Sequence, residues 1–488
     1  MIQHDPLASL RDPSLVRTCP LIDGKWLEDR PRFEVLNPTT GKVLREVGSS
    51  LAADAIAAID VADRAFADWR ALNVKARSRI LRNWFGLILA NAEDLARILS
   101  AEQGKPLKES RGEIVYGASF VEWYAEEAKR ITGELLPAFE LGRKLMVVHE
   151  PIGVCAAITP WNFPVAMITR KVAPALAAGC TVIVKPAEQT PLSALALAEL
   201  ADRAGLPPGV LNVLSADSRT SMEIGKVLCS SPRVRHLSFT GSTPVGRLLM
   251  AQSAPTVKKL ALELGGNAPF IVFDDADIER GVEGLLASKF RNSGQTCVCP
   301  NRIYVQAGIH DEFVSRLSAA AVRLIHGDPF NDRTLLGPMI DASAVEKVQR
   351  HVDDAVKRGA RLVTGGHSVD GRFFLPTVLE GVNESMQCLN EETFGPIAPI
   401  RMFETEAEVL KLANDSESGL AAYIYTKEAA RIFRLVEALE CGMVGINTGS
   451  ISSEQVPFGG IKQSGLGREG GSAGMHEYTE TKYLCWGI

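Results

Sequence analysis

A chain of 488 residues is longer than one ordinary core can serve, so two or three domains are expected. Hydrophobic residues at 46% and charged residues at 23% set the balance of a soluble globular protein, and a net charge of −5 without any basic block argues against nucleic acid or an anionic membrane as partner. No apolar run reaches the roughly 18 residues of a membrane span, residues 1–20 lack the apolar core of a secretory signal, and the nine scattered cysteines form no zinc-type pair of CxxC motifs.

Those cysteines point to a reducing, cytoplasmic setting with no metal, a mitochondrial matrix after loss of a transit peptide being the alternative. Segment 1–130 reads as an accessory to a later core. Short strands are expected in Leu21-Ile-Asp-Gly-Lys-Trp26 and Phe33-Glu-Val-Leu-Asn-Pro38. Ile56, Ile59, Ala62, Phe66 and Trp69 share one helical face, as do Ile80, Leu81, Trp84, Ile88, Leu95 and Leu99. A long amphipathic helix over about 109–130 carries Ile114, Phe120, Val121 and Tyr124, and core packing is the reading for all of these.

From about 150 the pattern turns to strand–helix alternation. Strands are predicted at 153–159, 181–184, 210–214, 236–240 and 258–262, with helices at 165–179, 191–204, 219–229 and 244–253. Short apolar strands separated by helices predict an α/β, doubly wound parallel sheet covered on both faces, a nucleotide-type domain. Ligands of such sheets bind beyond the carboxyl ends of the strands, here 159–162, 185–188 and 240–246. A second α/β unit follows from about 264 to 450, with strands at 270–273 and 302–305. The tail is Gly-rich from Phe458 and ends in a strand-like alternation over 478–486. With 144–149 it predicts a strand element that pairs with another subunit, since an uncovered terminal strand is a hazard.

Several stretches carry polar residues where packing does not ask for them. Phe290-Arg-Asn-Ser-Gly-Gln-Thr-Cys-Val-Cys299 is a Gly-broken polar loop after a helix-like run, so Cys297 sits among donors and not in an apolar stripe; this suits a nucleophilic thiol, against packing as the ordinary role of a single cysteine. Thr240-Gly-Ser-Thr-Pro-Val-Gly246 joins a strand to a helix and offers backbone amides to a phosphate, although it is neither GxGxxG nor a Walker loop and an ordinary helix start has the same look. Lys185-Pro-Ala-Glu188 closes a strand where ribose hydroxyls are gripped in doubly wound folds; Glu188 would repel a 2′-phosphate, favouring NAD over NADP, unless it is a solvated loop charge. Asn162 in Thr159-Pro-Trp-Asn162-Phe-Pro164 suits either an oxyanion donor or plain turn chemistry. Glu263, at the end of an apolar strand, is a costly acid unless it is ion-paired or acts as a base. Arg170 lies on the helix beginning beside Asn162 and Arg291 six residues before Cys297; two guanidinium groups near one thiol would suit the carboxylate end of a substrate, against the ordinary place of arginines on a surface.

Together these motifs resemble the aldehyde dehydrogenase superfamily over nearly the whole chain, in the form of its succinate-semialdehyde dehydrogenase branch. The resemblance implies a nucleotide-binding domain from 1–130 and 150–263, a catalytic α/β domain over 264–455, and a small β oligomerisation element with tail from 131–149 and 456–488, in a homotetramer built as a dimer of dimers. It implies Cys297 as nucleophile, Glu263 as general base and Asn162 as oxyanion donor, with NAD bound by Thr159, Pro160, Trp161, Lys185, Pro186, Ala187, Glu188, Gly241, Ser242, Gly246, Leu264, Glu392 and Phe394. Arg170, Arg291 and Ser452 would hold the carboxylate of succinate semialdehyde. Cys299 would be a possible disulfide partner of Cys297, although Pro300 departs from the small non-Pro residue many relatives carry there. Glutarate semialdehyde and sulfolactaldehyde are the alternative substrates. A non-catalytic NAD-binding relative would lack Cys297, Glu263 or Asn162, and none is missing; a thiol redox sensor would react with peroxide without making NADH.

Overall fold

The computed structural model describes residues 5–488. Five parallel strands form the centre of an eight-stranded sheet, in the spatial order Leu211–Val213, Thr181–Lys185, Val154–Ile158, Val234–Thr240 and Lys259–Glu263. The first of these in sequence, Val154–Ile158, is central, and the chain winds outward from it to one side and then the other. The order therefore reverses between Val154–Ile158 and Val234–Thr240, which opens a crevice at their carboxyl ends. The antiparallel hairpin Leu21–Ile22 with Lys25–Trp26 on one side, and Gly465–Leu466 on the other, complete the sheet. Gly465 has φ +132°, and a Cβ there would meet the Leu262 carbonyl oxygen at 1.8 Å, so only glycine lets the tail lie against the sheet.

Helices cover both faces. Helix Ala52–Ala71 packs on one of them through Ala55, Ala58, Ile59 and Ala62, alongside Ile183 and Leu237. The helical face drawn through Ile56 is corrected here: Ile56 is 53% exposed, and the small Ala55 and Ala58 are buried with Ile59 and Ala62 in its place. Helix Ala166–Ala178 is buried along its whole length, including Arg170 and Lys171.

The second sheet has seven strands, in the order Arg361–Thr364, Thr377–Glu380, Ile397–Phe403, Pro300–Gln306, Ala268–Val272, Ala421–Tyr425 and Met443–Ile446; all neighbours are parallel except the first pair. Residues 264–267 carry the chain from the last parallel strand of the first sheet to Ala268–Val272 of the second. A third sheet joins Glu134–Leu136, Arg143–Pro151 and Thr479–Gly487, the last two in continuous antiparallel register from Thr479 opposite Pro151 to Gly487 opposite Arg143. The tail thus contributes to more than one sheet, since Ile461–Lys462 also pairs with Ser418–Gly419. Among the described residues no helix is long and apolar enough to cross a membrane.

Candidate active site

Helix Ile278–Lys289 ends just before a turn that brings Cys297 to the seam of the two sheets. Asn292 and Ser293 both adopt left-handed backbone, at φ 50° and 56°, an unfavourable choice for residues with a Cβ unless their surroundings impose it. Here the surroundings do. The Asn292 N–H donates to Glu109 Oε2 at 2.9 Å, Gln103 Nε2 donates to Asn292 Oδ1 at 3.0 Å, and Ser293 Oγ donates to the Gly337 carbonyl at 2.8 Å. From across the seam Gly266 comes so close that a Cβ on it would stand 2.2 Å from the Cys297 carbonyl oxygen. Cys297 is partly exposed into a cavity of about 490 Å³. Burial pushes its thiol up to about 12, with Arg170 opposing and Glu263 reinforcing that rise.

Asn162 and Glu263 line the same cavity. Asn162 Nδ2 donates to the Gln295 carbonyl at 3.1 Å, which turns the amide toward the segment that ends in Cys297. The backbone carbonyl of Asn162 accepts from Lys105 Nζ at 2.8 Å and Asn292 Nδ2 at 3.2 Å, and Lys105 is ion-paired with Glu113 in full burial. Glu263 is 3% exposed, and neither carboxylate oxygen has a hydrogen-bond partner. Burial, then the like charge of Glu469, hold its carboxyl well above the usual range. A buried, unpartnered acid with raised proton affinity is a group poised to take up a proton.

The cofactor residues named from the sequence divide between this cavity and its surroundings. Pro160, Trp161, Gly241, Ser242, Leu264, Glu392 and Phe394 all line it. Trp161 and Phe394 meet edge to face, with ring centroids 5.6 Å apart. Glu392 Oε1 accepts from the Gly266 N–H at 3.1 Å, and burial pushes its carboxyl up to about 7. Gly246 sits one turn into helix Thr243–Ser253, packed against Leu264. Thr159 and Thr240, at the ends of the two switch-point strands, have buried hydroxyls without partners. Lys185 ends its strand and leads through Pro186 and a buried Ala187 to Glu188, its Nζ 3.7 Å from the Glu188 carboxylate. A second, narrower cleft of about 290 Å³ holds Glu188 and Asp217, and Ile340 and Asp341 belong to both cavities. Orphan hydroxyls at the strand ends, a helix N-terminus and two cavities sharing one wall fit an extended dinucleotide.

The three residues expected at the substrate tail do not all face one space. Arg291 and Ser452 line a separate cleft of about 740 Å³, together with Tyr116, Glu109 and Phe290. Arg291 lies over the Phe163 ring at 4.8 Å. Arg170 is 1% exposed, ion-paired with Glu469 at 2.5 Å and stacked 4.3 Å over Phe458. Lys171 shares the same Glu469 carboxylate. Cys299 is buried, and its Sγ donates to the Lys289 carbonyl at 3.3 Å.

Glu469, Tyr116, Lys105 with Glu113, and Lys347 escaped the sequence reading. Lys347 Nζ donates to the Glu392 carbonyl at 2.5 Å. The signal for Glu469 was an acid set among glycines in Gly467-Arg-Glu-Gly-Gly471, and for Glu113 a carboxylate beside Ile114 on the apolar face of its helix. Tyr116 gave no signal beyond its helix.

The cavity thus brings a thiol, an unpartnered carboxylate and an amide donor together beside a crevice whose lining fits a nucleotide. The chain belongs to the aldehyde dehydrogenase family, whose model matches residues 26–484, and so is an oxidoreductase that acts on aldehydes with NAD(P) as acceptor. It is similar to the glutarate-semialdehyde dehydrogenase of Pseudomonas putida strain KT2440, 54% identical with 98% of this chain and 99% of that one covered. It is likewise similar to an Escherichia coli K12 protein named succinate-semialdehyde dehydrogenase [NADP(+)], 55% identical over 98% of this chain and 100% of that one. A solved succinate-semialdehyde dehydrogenase structure from Burkholderia pseudomallei superposes with a TM-score of 0.97 at 56% identity, covering 99% and 100% of the two chains.

Proposed function

We propose that this protein oxidises succinate semialdehyde to succinate with NAD as acceptor, through an acyl-enzyme on Cys297. The observation that carries the substrate class is the cleft beside the Cys297 turn, where Arg291 and Ser452 offer a cation and a hydroxyl to an anionic tail. Cys297 Sγ adds to the aldehyde carbon as its S–H proton passes to solvent in the cavity, and the oxygen that gains charge is met by Asn162 Nδ2 and the Cys297 N–H. A nicotinamide held in the cavity lined by Trp161, Glu392 and Phe394 would accept the hydride from the adduct carbon, leaving a thioester on Cys297. Glu263 then takes a proton from the water that attacks the thioester, which releases the carboxylate and restores the thiol.

Preference for NAD over NADP is supported by the adenosine-side cleft. Glu188 and Asp217 line it, and among the described residues no lysine or arginine does. Burial pushes Asp217 up, but the Thr220 N–H and the Ser49 hydroxyl outweigh it and hold the carboxyl below its usual range, so it stays an anion. A 2′-phosphate placed there would meet like charge. This differs from the cofactor in the name of the E. coli relative.

The division into 1–130 with 150–263, 264–455, and 131–149 with 456–488 is supported by the three largest sheets, whose strands follow it apart from the edge strand Gly465–Leu466 of the first. We place the protein in the cytoplasm, where a free thiol stays reduced, as a homotetramer. The test is steady-state NADH or NADPH production with succinate semialdehyde, glutarate semialdehyde, sulfolactaldehyde and butanal, each with NAD and NADP. The expected result is the highest kcat/KM for succinate semialdehyde with NAD. A longer or sulfonated aldehyde winning would move the substrate assignment while keeping the chemistry, and equal rates with butanal would remove the anionic tail from it.

A further inference from the structure

The ion pair of Lys105 and Glu113 has no part in the covalent steps, and neither residue lines the cavity of Cys297, yet the pair lies directly behind the turn of Asn162. Both side chains are fully buried. Taking two charges out of water costs about as much as their attraction returns, so a well-packed apolar pair would often serve stability as well. What the charges hold is specific. Lys105 Nζ donates to Glu113 Oε2 and, at 2.8 Å, to the Asn162 carbonyl, and it stands 3.7 Å from the centre of the Phe163 ring. Glu113 Oε1 accepts from the N–H groups of Val165 at 2.9 Å and Ala166 at 3.3 Å, at the opening of helix Ala166–Ala178, where unpaired N–H groups favour an anion.

The pair therefore grips the turn at both ends, a carbonyl at Asn162 and two N–H groups at Val165 and Ala166. Glu113 reaches them because Gly117, one turn further along helix Leu107–Glu127 on the same face, has no side chain: a Cβ there would stand 2.7 Å from Val165 Cγ1. The grip extends to the nucleophile. Asn292 Nδ2 donates to the carbonyls of Asn162 and Gln295, and the Gln295 carbonyl also accepts from Asn162 Nδ2. That amide nitrogen carries two hydrogens, so one is spent on Gln295 and the other is left for the oxygen that gains charge.

We propose that Lys105 and Glu113 are positioning residues for the oxyanion donor: by fixing the carbonyl of Asn162 and the N–H groups of Val165 and Ala166, the pair sets where Asn162 Nδ2 points relative to Cys297. Neither residue touches the reacting atoms. A donor fixed before charge develops needs no reorganisation when it does, whereas misplacement by about 1 Å lowers the rate on the order of 100-fold. This rests on the reading of Asn162 as the donor to the oxygen of the Cys297 adduct.

The test is the first-turnover rate of NADH formation from succinate semialdehyde, followed by stopped flow, in a double-mutant cycle with Asn162→Ala. Lys105→Met alone leaves the Glu113 charge buried without a partner and is expected to lose stability. Lys105→Met combined with Glu113→Leu removes both charges and is expected to fold, by circular dichroism. In this paired variant the first turnover is expected to slow by about 10- to 100-fold, with NAD affinity by calorimetry unchanged. In the Asn162→Ala background the same two changes should slow it hardly further, because residues that act through one another are not additive. A paired variant that folds and keeps the wild-type rate overturns the proposal. Slowing by the same factor in both backgrounds shows a packing effect unconnected with Asn162 and overturns it too, as does failure of the paired variant to fold, which would make the pair part of the scaffold. If Asn162→Ala itself leaves the first turnover unchanged, the reading of Asn162 falls and this proposal with it; a slowed Asn162→Ala beside an unaffected paired variant strikes the positioning role alone.

Discussion

Glu469 helps to raise the Glu263 carboxyl although it does not line the cavity of Cys297. It is buried between Arg170, Lys171 and the Ser238 hydroxyl, and it lies close enough to Glu263 to raise that carboxyl. Burial pushes Glu469 up, but Lys171 and Arg170 outweigh it and hold it below the usual carboxylate range. Removing one partner of such a group leaves uncompensated buried charge, so Glu469→Gln is expected to destabilise the fold by roughly 3–5 kcal/mol. Because the folded carboxyl is depressed, its stabilising contribution is present above the ordinary glutamate value and is lost as pH falls through the folded one. Urea unfolding of wild type and Glu469→Gln should therefore show a gap at neutral pH that narrows in acid; a gap independent of pH would contradict the ion-pair account. Glu469 was hard to read from sequence because its partners are nearly 300 positions away and meet it only when the tail folds back. Cys297, Asn162 and Glu263 were readable because each breaks a local pattern: a polar loop, a Pro-flanked turn, an acid on an apolar strand.

At the scale of elements, the parallel strands were legible because they are short, apolar and bounded by helices, and the ligand crevice followed from the order reversal. Sequence placed the start of the second unit at about 264, but it could not supply how closely residues 264–267 approach the Cys297 turn, with the base on one sheet and the nucleophile beside the other. Glu263 ends a strand of the first, and Cys297 shortly precedes Pro300–Gln306 of the second. Gly266 is the contact that fixes their separation. Gly266→Ala would place a Cβ against the backbone carbonyl of Cys297, and displacement of the nucleophile by about 1 Å is expected to lower kcat on the order of 100-fold. Circular dichroism should show the fold retained, and an unchanged kcat would contradict the close approach. The exposed Ile56 shows the other limit of periodicity: it finds an apolar face but does not fix its centre, which runs through Ala55, Ala58, Ile59 and Ala62.

In the whole molecule, the feature that asks for a partner is the three-stranded sheet. Thr479–Gly487 forms one edge of it and is exposed from Glu480 onward, with Tyr483 at 60% and Trp486 at 58% exposure. A long edge strand carrying aromatic side chains is an interface or a liability, which supports the proposed assembly of subunits through it. Trp486→Asp combined with Tyr483→Lys is expected to shift the protein toward smaller oligomers in sedimentation velocity, without loss of helix content. An unaltered sedimentation coefficient would remove this strand from the interface.

The central claim is that Cys297 carries the acyl group and Glu263 releases it, and stopped-flow NADH formation by Glu263→Gln with succinate semialdehyde tests it most directly. A stoichiometric burst of NADH is predicted, followed by a steady state slower than wild type by about 10²- to 10⁴-fold, because the thioester forms and then waits for a base. A variant whose first turnover is as slow as the later ones, with no burst, would contradict the assignment of Glu263 to deacylation.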